Sequence, residues 1–298
     1  MVASPAAWEA SNVQVSSLRV RGSGGLALHV HRFTDESATP RGVMVLCLHG
    51  FLDGGATWDR VAGPLAANGY EVIAPDLRGF GGSERVGVGG YYHFPDYVAD
   101  VDALVRTLAP SRLVVVGHSM GGTVACLYAG ASPQSLERLV VIEGVGPPSM
   151  PPDQAKYRMR QWLVDLERQR TPRPLASLDD AVRRLAINHP NLSRDVLEVR
   201  ARQLTVTLDE GLAWAHDPLH RTTSPIGFSA DVLKGYLSEF RSPVLFVSGG
   251  ENGFHPEDEA ERLAAFEDVR RVELPSAGHM VHWTEPEALA REIASFIG

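Results

Sequence analysis

The stretch Leu-Val-Val-Val-Gly-His-Ser-Met-Gly-Gly at residues 113–122 decides the fold of this chain. Residues 113–116 are leucine and valine, which predicts a strand covered on both faces. The residues after Ser119 stay small and apolar as far as Ala131 and predict a helix. A serine between two glycines, on a sharp turn from strand to helix, exposes its hydroxyl above a parallel sheet. We therefore predict that Ser119 is a nucleophile.

Outward from this turn, the chain alternates between strands and helices. An antiparallel hairpin is predicted from alternating residues 13–21 and 26–33 around a glycine-rich turn. Short apolar runs predict strands at 43–48, 72–74, 113–116, 139–142 and 244–247, and helices are predicted at 57–68, 94–108, 119–131, 257–266 and 285–297. This alternation predicts an α/β fold with a mostly parallel, doubly wound sheet.

The alternation stops between Val145 and Ser242. Segment 146–242 begins with several prolines and continues with apolar residues at helical spacing. We interpret it as an inserted helical cap on a core formed by residues 1–145 and 243–298. The alternative is a set of extra helices packed on the edge of the sheet.

Backbone donors for a developing oxyanion are predicted at two positions. His49-Gly50-Phe51 follows the strand at 43–48, and Met120 follows the nucleophile. A carbonyl under attack gathers negative charge on its oxygen, which needs preorganised N–H donors. We predict that the N–H groups of Phe51 and Met120 supply them, while His49 braces the loop.

A general base is predicted at His279, on a short loop between the last strand-like run, 269–274, and the final helix. At the carboxyl edge of the sheet its imidazole can reach a serine and take the proton. His282 is interpreted as a surface residue at a helix start. The other histidines show no metal-ligand spacing backed by carboxylates, so neither a metal nor an organic cofactor is predicted.

Four motifs resemble those of the α/β-hydrolase fold family with a cap. They are His-Gly-Phe-Leu-Asp at 49–53, Pro-Asp-Leu-Arg-Gly-Phe-Gly-Gly-Ser at 75–83, Gly-His-Ser-Met-Gly-Gly at 117–122 and Gly-His at 278–279. Residues 49–59 and 141–147 are similar to the serine-hydrolase-like branch, and the resemblance extends from about residue 13 to 297. It implies a serine hydrolase, in which Asp76 and Arg78 have a scaffold role.

The acid of the predicted triad departs from the common family pattern. The resemblance implies an aspartate shortly after the strand at 244–247, and this chain has Asn252 there. A neutral asparagine cannot stabilise an imidazolium. We predict that Glu143, which ends the preceding strand, is the acid, since it keeps the order nucleophile, acid, base. Glu251 is the next candidate, and the alternative for Glu143 is a carboxylate that caps the following turn.

Composition limits the possible partners and compartments. The 298 residues carry 28 Lys and Arg against 36 Asp and Glu, a formal charge of −8. This balance excludes a nucleic acid or an anionic membrane as the main partner, because phosphate binding needs clustered cations. The N-terminus lacks the regions of a secretory signal. Cys47 and Cys126 lie in apolar runs and are expected to be buried reduced thiols, which fits a cytoplasmic protein.

The function predicted from these residues is hydrolysis of a small or medium apolar carboxylic ester through a Ser-His-Glu triad and an acyl-enzyme. Thioesterase, lactonase and C–C hydrolase activity use the same residues and stay open. A catalytically weak ligand receptor on the same fold also stays open because of Asn252. Serine at 119 disfavours haloalkane dehalogenases and epoxide hydrolases, which need a carboxylate nucleophile. The acyl group, the alcohol and the oligomeric state are left open.

Overall fold

The computed structural model describes residues 12–168, 174–209 and 211–298. Ten strands lie in this part of the chain. They are β1 (Val13–Arg21), β2 (Ala27–Asp35), β3 (Met44–Leu48), β4 (Glu71–Pro75), β5 (Leu113–His118), β6 (Arg138–Ile142), β7 (Thr205–Leu208), β8 (Gly211–Trp214), β9 (Val244–Ser248) and β10 (Val269–Glu273). Eight of them form one sheet, and β7 and β8 form a separate hairpin.

Helices connect most of these strands. Over the same described ranges they are α1 (Asp59–Ala67), α2 (Phe94–Leu108), α3 (Met120–Ala131), α4 (Ala155–Glu167), α5 (Leu178–Asn188), α6 (Arg194–Gln203), α7 (Ala230–Glu239), α8 (Glu259–Leu263), α9 (Val281–Thr284) and α10 (Pro286–Ile297). None of the helices in these ranges is long and apolar enough to cross a membrane.

The order of strands in the large sheet is β1-β2-β4-β3-β5-β6-β9-β10. From β4 to β10 every neighbouring pair is parallel, and only β2 runs antiparallel to its two neighbours. The predicted mostly parallel, doubly wound sheet is confirmed. Because β5 lies at the centre, the residue after it emerges at the middle of the carboxyl edge, where sites in such sheets lie.

Both faces of the sheet are buried, which explains the continuous apolar runs. Val114 and Val116 of β5 belong to a core cluster with α1 and α10, whereas Val115 belongs to the cluster with α2, α3 and α7. Alternate residues of a strand point to opposite faces, so a strand covered on both faces has no polar position. Burying each such valine contributes about 1.5–3 kcal/mol.

Segment 146–242 has a small apolar core of its own. In this core α5 and α6 pack through Val182, Leu185 and Leu197. Leu204, which follows α6, is also buried there, and Trp283 of α9 joins the cluster from the side of the large sheet. The segment is therefore anchored to the remainder of the chain at α9.

Two features of segment 146–242 differ from a simple helical insertion. The hairpin of β7 and β8 lies in this segment and was not predicted from the helical spacing. The last helix of the segment, α7, shares the core cluster of α3 through Leu233 and Leu237. The division of the chain into core and cap stays a prediction.

Both cysteines are free and buried, as predicted. Cys47 lies within β3 and Cys126 within α3. Burial raises the pKa of the Cys126 thiol to about 12 and raises the pKa of Cys47 as well. Neither thiol forms a thiolate near neutral pH, so both act as small apolar side chains in the core.

Candidate active site

Ser119 lies on a strained turn between β5 and α3. Its φ is 52° and its ψ is −116°, angles that L-residues rarely adopt. Its N–H donates to the carbonyl oxygen of Ile142 at 2.9 Å, which ties the turn to β6. A Cβ on Gly117 would lie 2.4 Å from the carbonyl oxygen of Gly121, so only glycine has room at this position.

The structure brings Ser119, His279 and Glu143 together. The Nε2 of His279 lies 3.0 Å from the Oγ of Ser119, and its Nδ1 lies 3.3 Å from the Oε2 of Glu143. The three side chains come from the ends of β5, β6 and the loop after β10. This is the order of contacts of a nucleophile, a base and an acid that orients the base.

The carboxylate of Glu143 is buried and held by backbone donors. It accepts hydrogen bonds from the N–H groups of Gly249 and Phe254, both in or near the loop after β9. Its own φ is 53°, a second strained position at the carboxyl edge of the sheet. A Cβ on Gly253 would lie 2.5 Å from the Oε1 of Glu143, so a glycine there leaves room for the carboxylate.

The two other residues considered for the acid lie elsewhere. Glu251 and Asn252 are both exposed. In the part of the chain that the structure describes, neither of them contacts His279 through a hydrogen bond, whereas Glu143 does. The predicted contact between Glu143 and the histidine is therefore present in the structure. The alternative, in which Glu143 only caps the following turn, does not account for that contact.

The predicted oxyanion donors lie on two segments that adjoin Ser119. Met120 is the first residue of α3, where an N–H has no partner within the helix. Phe51 lies on the turn after β3, and across the described residues no acceptor is found for its N–H. A Cβ on Gly50 would lie 3.3 Å from the Cβ of Ser119, which shows how closely this loop approaches the nucleophile.

His49 braces the oxyanion loop, as predicted. Its ring is fully buried, with Nδ1 2.8 Å from the carbonyl oxygen of Gly50. Its Nε2 accepts the N–H of Leu77 at 3.0 Å, which fixes the tautomer that carries its proton on Nδ1. Burial lowers the pKa of His49, so the ring stays neutral and joins two loops without bringing a charge to the site.

The prediction that His282 is a surface residue is wrong. Its side chain is completely buried, and its Nε2 lies 2.9 Å from the Oδ2 of Asp53. The ring also stacks on Trp58 at 4.7 Å between centroids. A helix start usually faces solvent, but α9 packs against the segment that follows β3, so its first turn is covered. The aspartate of the His-Gly-Phe-Leu-Asp motif was the available clue, because a buried carboxylate needs a partner.

His118 belongs to a buried group next to His279. Its Nε2 lies 2.8 Å from the carbonyl oxygen of His279, so it supports the loop that carries the base. Burial lowers the pKa of His118 well below its usual range, and the neighbouring rings of His282 and His279 act in the same direction. Burial alone would raise the pKa of Asp53, but its hydrogen bond to His282 and the nearby histidines outweigh burial and lower that pKa to about 2.

Among the residues that the structure describes, two groups of side chains could offer ligands to a metal. They are His29, His31 and Asp76, and Asp53, His118 and His282, with ligand atoms within 4.8 Å of one another in each. Asp76 accepts the N–H groups of Gly55 and Gly82 besides its contact with His29, and Asp53 is hydrogen-bonded to His282. The Nε2 of His31 and the Nδ1 atoms of His118 and His282 have no hydrogen-bond partner within these described residues. The absence of a metal site stays a prediction.

The predicted scaffold residues after β4 are buried and paired. The Oδ1 of Asp76 accepts the N–H of Gly55 at 2.7 Å, and its backbone oxygen accepts the Ser83 hydroxyl. The guanidinium of Arg78 donates to both carboxylate oxygens of Asp100, at 2.6 and 2.7 Å. These contacts tie the loop after β4 to the loop after β3 and to α2, outside the reacting groups.

Ser119 and His279 line a large cavity of about 1660 Å³. One wall comes from the loops at the carboxyl edge of the sheet, including Phe51 and Met120. Another comes from segment 146–242, including Trp214 and His189. Most of the lining is apolar, which suits binding of an uncharged organic substrate beside the nucleophile.

Comparisons with known proteins agree with this geometry. A family model described as alpha/beta hydrolase fold matches residues 43–286. A serine hydrolase-like protein of Danio rerio is 28% identical over 265 residues, 85% of this chain and 81% of that protein. A 3-hydroxybutyrate-oligomer hydrolase of Cupriavidus necator is 29% identical over 273 residues, 88% of this chain and 90% of that one. A crystal structure of a hypothetical protein from Pseudomonas aeruginosa has a TM-score of 0.81 and 28% identity, covering 95% of this chain and 99% of that one.

The chain belongs to the α/β-hydrolase fold family, and the predicted family is confirmed. The matched residues include the turn at Ser119, the strand end at Glu143 and the loop at His279. The relatives named as hydrolases support a hydrolytic activity for this chain.

Proposed function

We propose that this chain hydrolyses carboxylic esters through Ser119, His279 and Glu143. The observation that carries the proposal is the unbroken series of contacts from the Ser119 hydroxyl through both nitrogens of His279 to Glu143, beside a mostly apolar cavity. In the proposal, segment 146–242 is the cap that covers the substrate. The two reduced thiols fit a cytoplasmic location.

The proposed reaction proceeds through an acyl-enzyme. His279 takes the proton of Ser119 through Nε2 as the serine oxygen attacks the ester carbonyl. The N–H groups of Phe51 and Met120 donate to the oxyanion, and loss of one such donor typically lowers kcat by about 10²–10³-fold. The imidazolium then protonates the leaving alcohol. Water attacks the acyl-enzyme with the same base, and the carboxylic acid leaves.

Glu143 orients His279 and stabilises its positive charge in this mechanism. The carboxylate accepts from Nδ1, so Nε2 is left free to accept the serine proton. Gly249 and Phe254 already donate to the carboxylate, which keeps it in place before the substrate arrives. A receptor without catalytic activity would have no use for this arrangement, so we favour the enzyme.

The first prediction is that a fluorophosphonate probe labels Ser119. We expect mass spectrometry to find the adduct on the peptide that contains Ser119, because the Nε2 of His279, 3.0 Å from this hydroxyl, is placed to take its proton. Ser119→Ala should abolish both labelling and ester hydrolysis. Ser132→Ala, at another serine lining the same cavity, is the matched control and should keep both.

A panel of esters, thioesters and lactones measured with the same variants assigns the bond that is cleaved. Labelling on another residue, or a Ser119→Ala variant that still hydrolyses every substrate of the wild-type protein, would contradict the proposed nucleophile.

A further inference from the structure

The cavity at Ser119 continues as a groove along α3. Four lining residues share one face of this helix, at spacings of three and four: Met120, Thr123, Leu127 and Ala131. They form the floor. At 1.5 Å per residue the floor extends about 17 Å from the oxyanion donor to the far end. The groove therefore begins at the reacting atoms and leads away from them.

Two further helices form the walls of this groove. Phe94, Val98 and Asp102 lie four residues apart on one face of α2, and Val232 and Tyr236 lie on one face of α7. The helices α2, α3 and α7 all begin at the carboxyl edge of the sheet and run in the same direction. The walls thus follow the floor along its length.

A glycine allows one wall to lie directly against the floor. A Cβ on Gly130 of α3 would lie 2.3 Å from the carbonyl oxygen of Tyr236 in α7. With hydrogen at that position the two helices pack backbone to backbone. The groove is therefore a fixed feature of the packing of α3 and α7.

Most of the surface of the groove is apolar, and the charged Asp102 on the α2 wall pairs with Arg106. Val232 is 62% exposed and Tyr236 is 37% exposed, although both are large apolar side chains. The Thr123 hydroxyl is satisfied by the backbone oxygens of Ser119 and Gly144, each at 3.4 Å. An occupant with polar groups along its length would lose their hydration without new hydrogen bonds.

Aromatic rings narrow the groove close to the nucleophile. Phe94 of α2 and Phe228, just before α7, have ring centroids 6.1 Å apart. They belong to opposite walls, and at this distance the two rings are in contact. A chain that follows α3 therefore passes beside this aromatic pair and not between its rings.

We propose that this groove binds the acyl chain of a long, unbranched fatty acyl ester. This inference rests on the proposed function, since the acyl carbonyl must lie between Ser119 and the N–H groups of Phe51 and Met120. The chain then runs past Phe94 along α3 towards Ala131. The group that occupies the groove is a saturated hydrocarbon tail attached to the carbonyl carbon of the ester.

The experiment compares kcat/KM for p-nitrophenyl acetate, butyrate, octanoate, dodecanoate and palmitate. Each methylene that enters the groove leaves water, so we expect kcat/KM to rise by about tenfold or more from butyrate to dodecanoate. A second series, decyl acetate against ethyl acetate, varies the alcohol instead. A chain-length preference in the alcohol series alone would overturn the proposal, and so would a maximum at acetate or butyrate.

Two variants place an obstacle in the groove away from the triad. Leu127→Trp fills the floor, and Val232→Glu brings a charge to an exposed position on the wall. We expect each to lower kcat/KM for dodecanoate by about tenfold while butyrate hydrolysis stays within about twofold. Val199→Glu, at an exposed valine of α6 outside the groove lining, is the matched control and should change neither.

The outcomes separate this inference from the proposed function. If butyrate is hydrolysed and Ser119 is labelled, but Leu127→Trp and Val232→Glu affect both esters equally, the groove does not bind the acyl chain while the serine hydrolase stands. If Ser119 is not labelled and no ester is cleaved, the proposed function itself fails. If Leu127→Trp does not fold, Val232→Glu, at an exposed position, still tests whether the groove binds the acyl chain.

Discussion

At the scale of single residues, the proposed triad acid is the feature in which this chain departs from the pattern expected from its sequence. Glu143 reaches His279 from β6, while Asn252, at the position where an aspartate was expected, is exposed. The carboxylate is buried, but two backbone N–H groups and the histidine together satisfy it. Hydrogen bonds to its charged form offset the desolvation of a buried carboxylate.

We predict that Glu143→Gln lowers kcat by about 10³–10⁴-fold, because the variant loses the charge that stabilises the imidazolium. Its amide NH₂ also faces backbone donors at Gly249 or Phe254, so thermal stability should fall as well. Steady-state kinetics and thermal melts measure the two effects separately. Asn252→Ala is the control and should have a much smaller effect.

A rescue experiment tests the same interpretation. Asn252→Asp in the Glu143→Gln background returns a carboxylate to the position that the family commonly uses, and part of the rate should return. A Glu143→Gln variant that folds and keeps nearly full activity would instead make Glu143 a structural carboxylate, and Glu251 would become the candidate acid.

At the scale of elements, the turn between β5 and α3 depends on close backbone contact. A Cβ on Gly121 would lie 2.3 Å from the carbonyl oxygen of Leu48 in β3, and one on Gly144 would lie 2.6 Å from the carbonyl oxygen of Ser119. The start of α3 is therefore pressed against the ends of β3 and β6. That close packing is what places the N–H of Met120 beside the oxyanion loop.

We predict that Gly121→Ala destabilises the protein by about 1–3 kcal/mol or more, because backbone atoms cannot give way as a side chain can. Gly235→Ala is the matched control, since Gly235 also lies in a helix and a Cβ there meets nothing within 4 Å. Alanine should stabilise α7 by up to about 1 kcal/mol. Urea unfolding of both variants measures the difference, and equal effects at the two positions would refute the close-contact argument.

Most elements of the core could be predicted from the sequence because each carries a local pattern. Residues 113–122 alone contain the strand, the turn and the helix start. The hairpin of β7 and β8 could not be predicted, since each strand has four residues and the surrounding segment has helical spacing. The contact of Asp53 with His282 joins residues 229 apart in sequence, and no local pattern records it.

The residues of the candidate site could likewise be predicted only where a local sequence pattern marks them. Ser119 and His279 are marked by glycines that the turns require, and Glu143 follows from the position of a strand end. The acyl groove could not be predicted, because its floor and walls come from three helices whose exposed faces are set by packing. Spacing identified α2 and α3, but it identified neither α7 nor the face that α7 leaves uncovered.

At the scale of the whole molecule, partly or fully buried histidines are distributed through the structure. Burial lowers the pKa of several of them: His49, His118, His189, His216, His220 and His282. The pKa of His216 falls to about 4 and that of His220 to about 3. The imidazole of His220 is therefore neutral in the native state between about pH 6 and 4, whereas the same side chain in the unfolded state begins to take up a proton near 6.5.

The sign of the pH effect follows from this difference. Below about pH 6.5 the unfolded chain binds more protons at such a histidine than the native one, so the free energy of unfolding falls as the pH falls. For His220 the loss is about 1.4 kcal/mol per pH unit and ends near its native pKa of about 3. The lowered pKa of Asp53, about 2, adds to the loss below about pH 4, where its unfolded form becomes protonated. Stability should therefore be full near neutral pH and decrease continuously as the pH falls from about 6.5 to about 3.

We predict that His220→Phe reduces this pH dependence by about one proton between about pH 6 and 4. The ring of His220 lies between Phe80 and Tyr92, with centroids 3.8 Å from each, so phenylalanine keeps the stack and removes only the titrating group. Losing the contact with the Tyr97 hydroxyl lowers stability equally at every pH and leaves the slope unaffected. Urea unfolding at a series of pH values measures both quantities.

His255→Gln is the control of opposite sign. The carbonyl oxygen of Gly250 and the carboxylate of Glu259 raise the pKa of His255, so its protonated form stabilises the native state below about pH 6.5 and that contribution disappears as the pH rises through the raised pKa. Removing it should change the slope only above about pH 6.5, where the wild-type protein gains stability from His255 as the pH falls and the variant does not, whereas His220→Phe should flatten the loss below about pH 6. If His220→Phe leaves the slope between about pH 6 and 4 unchanged, burial of His220 does not set its protonation, and acid sensitivity must come from the carboxylates instead.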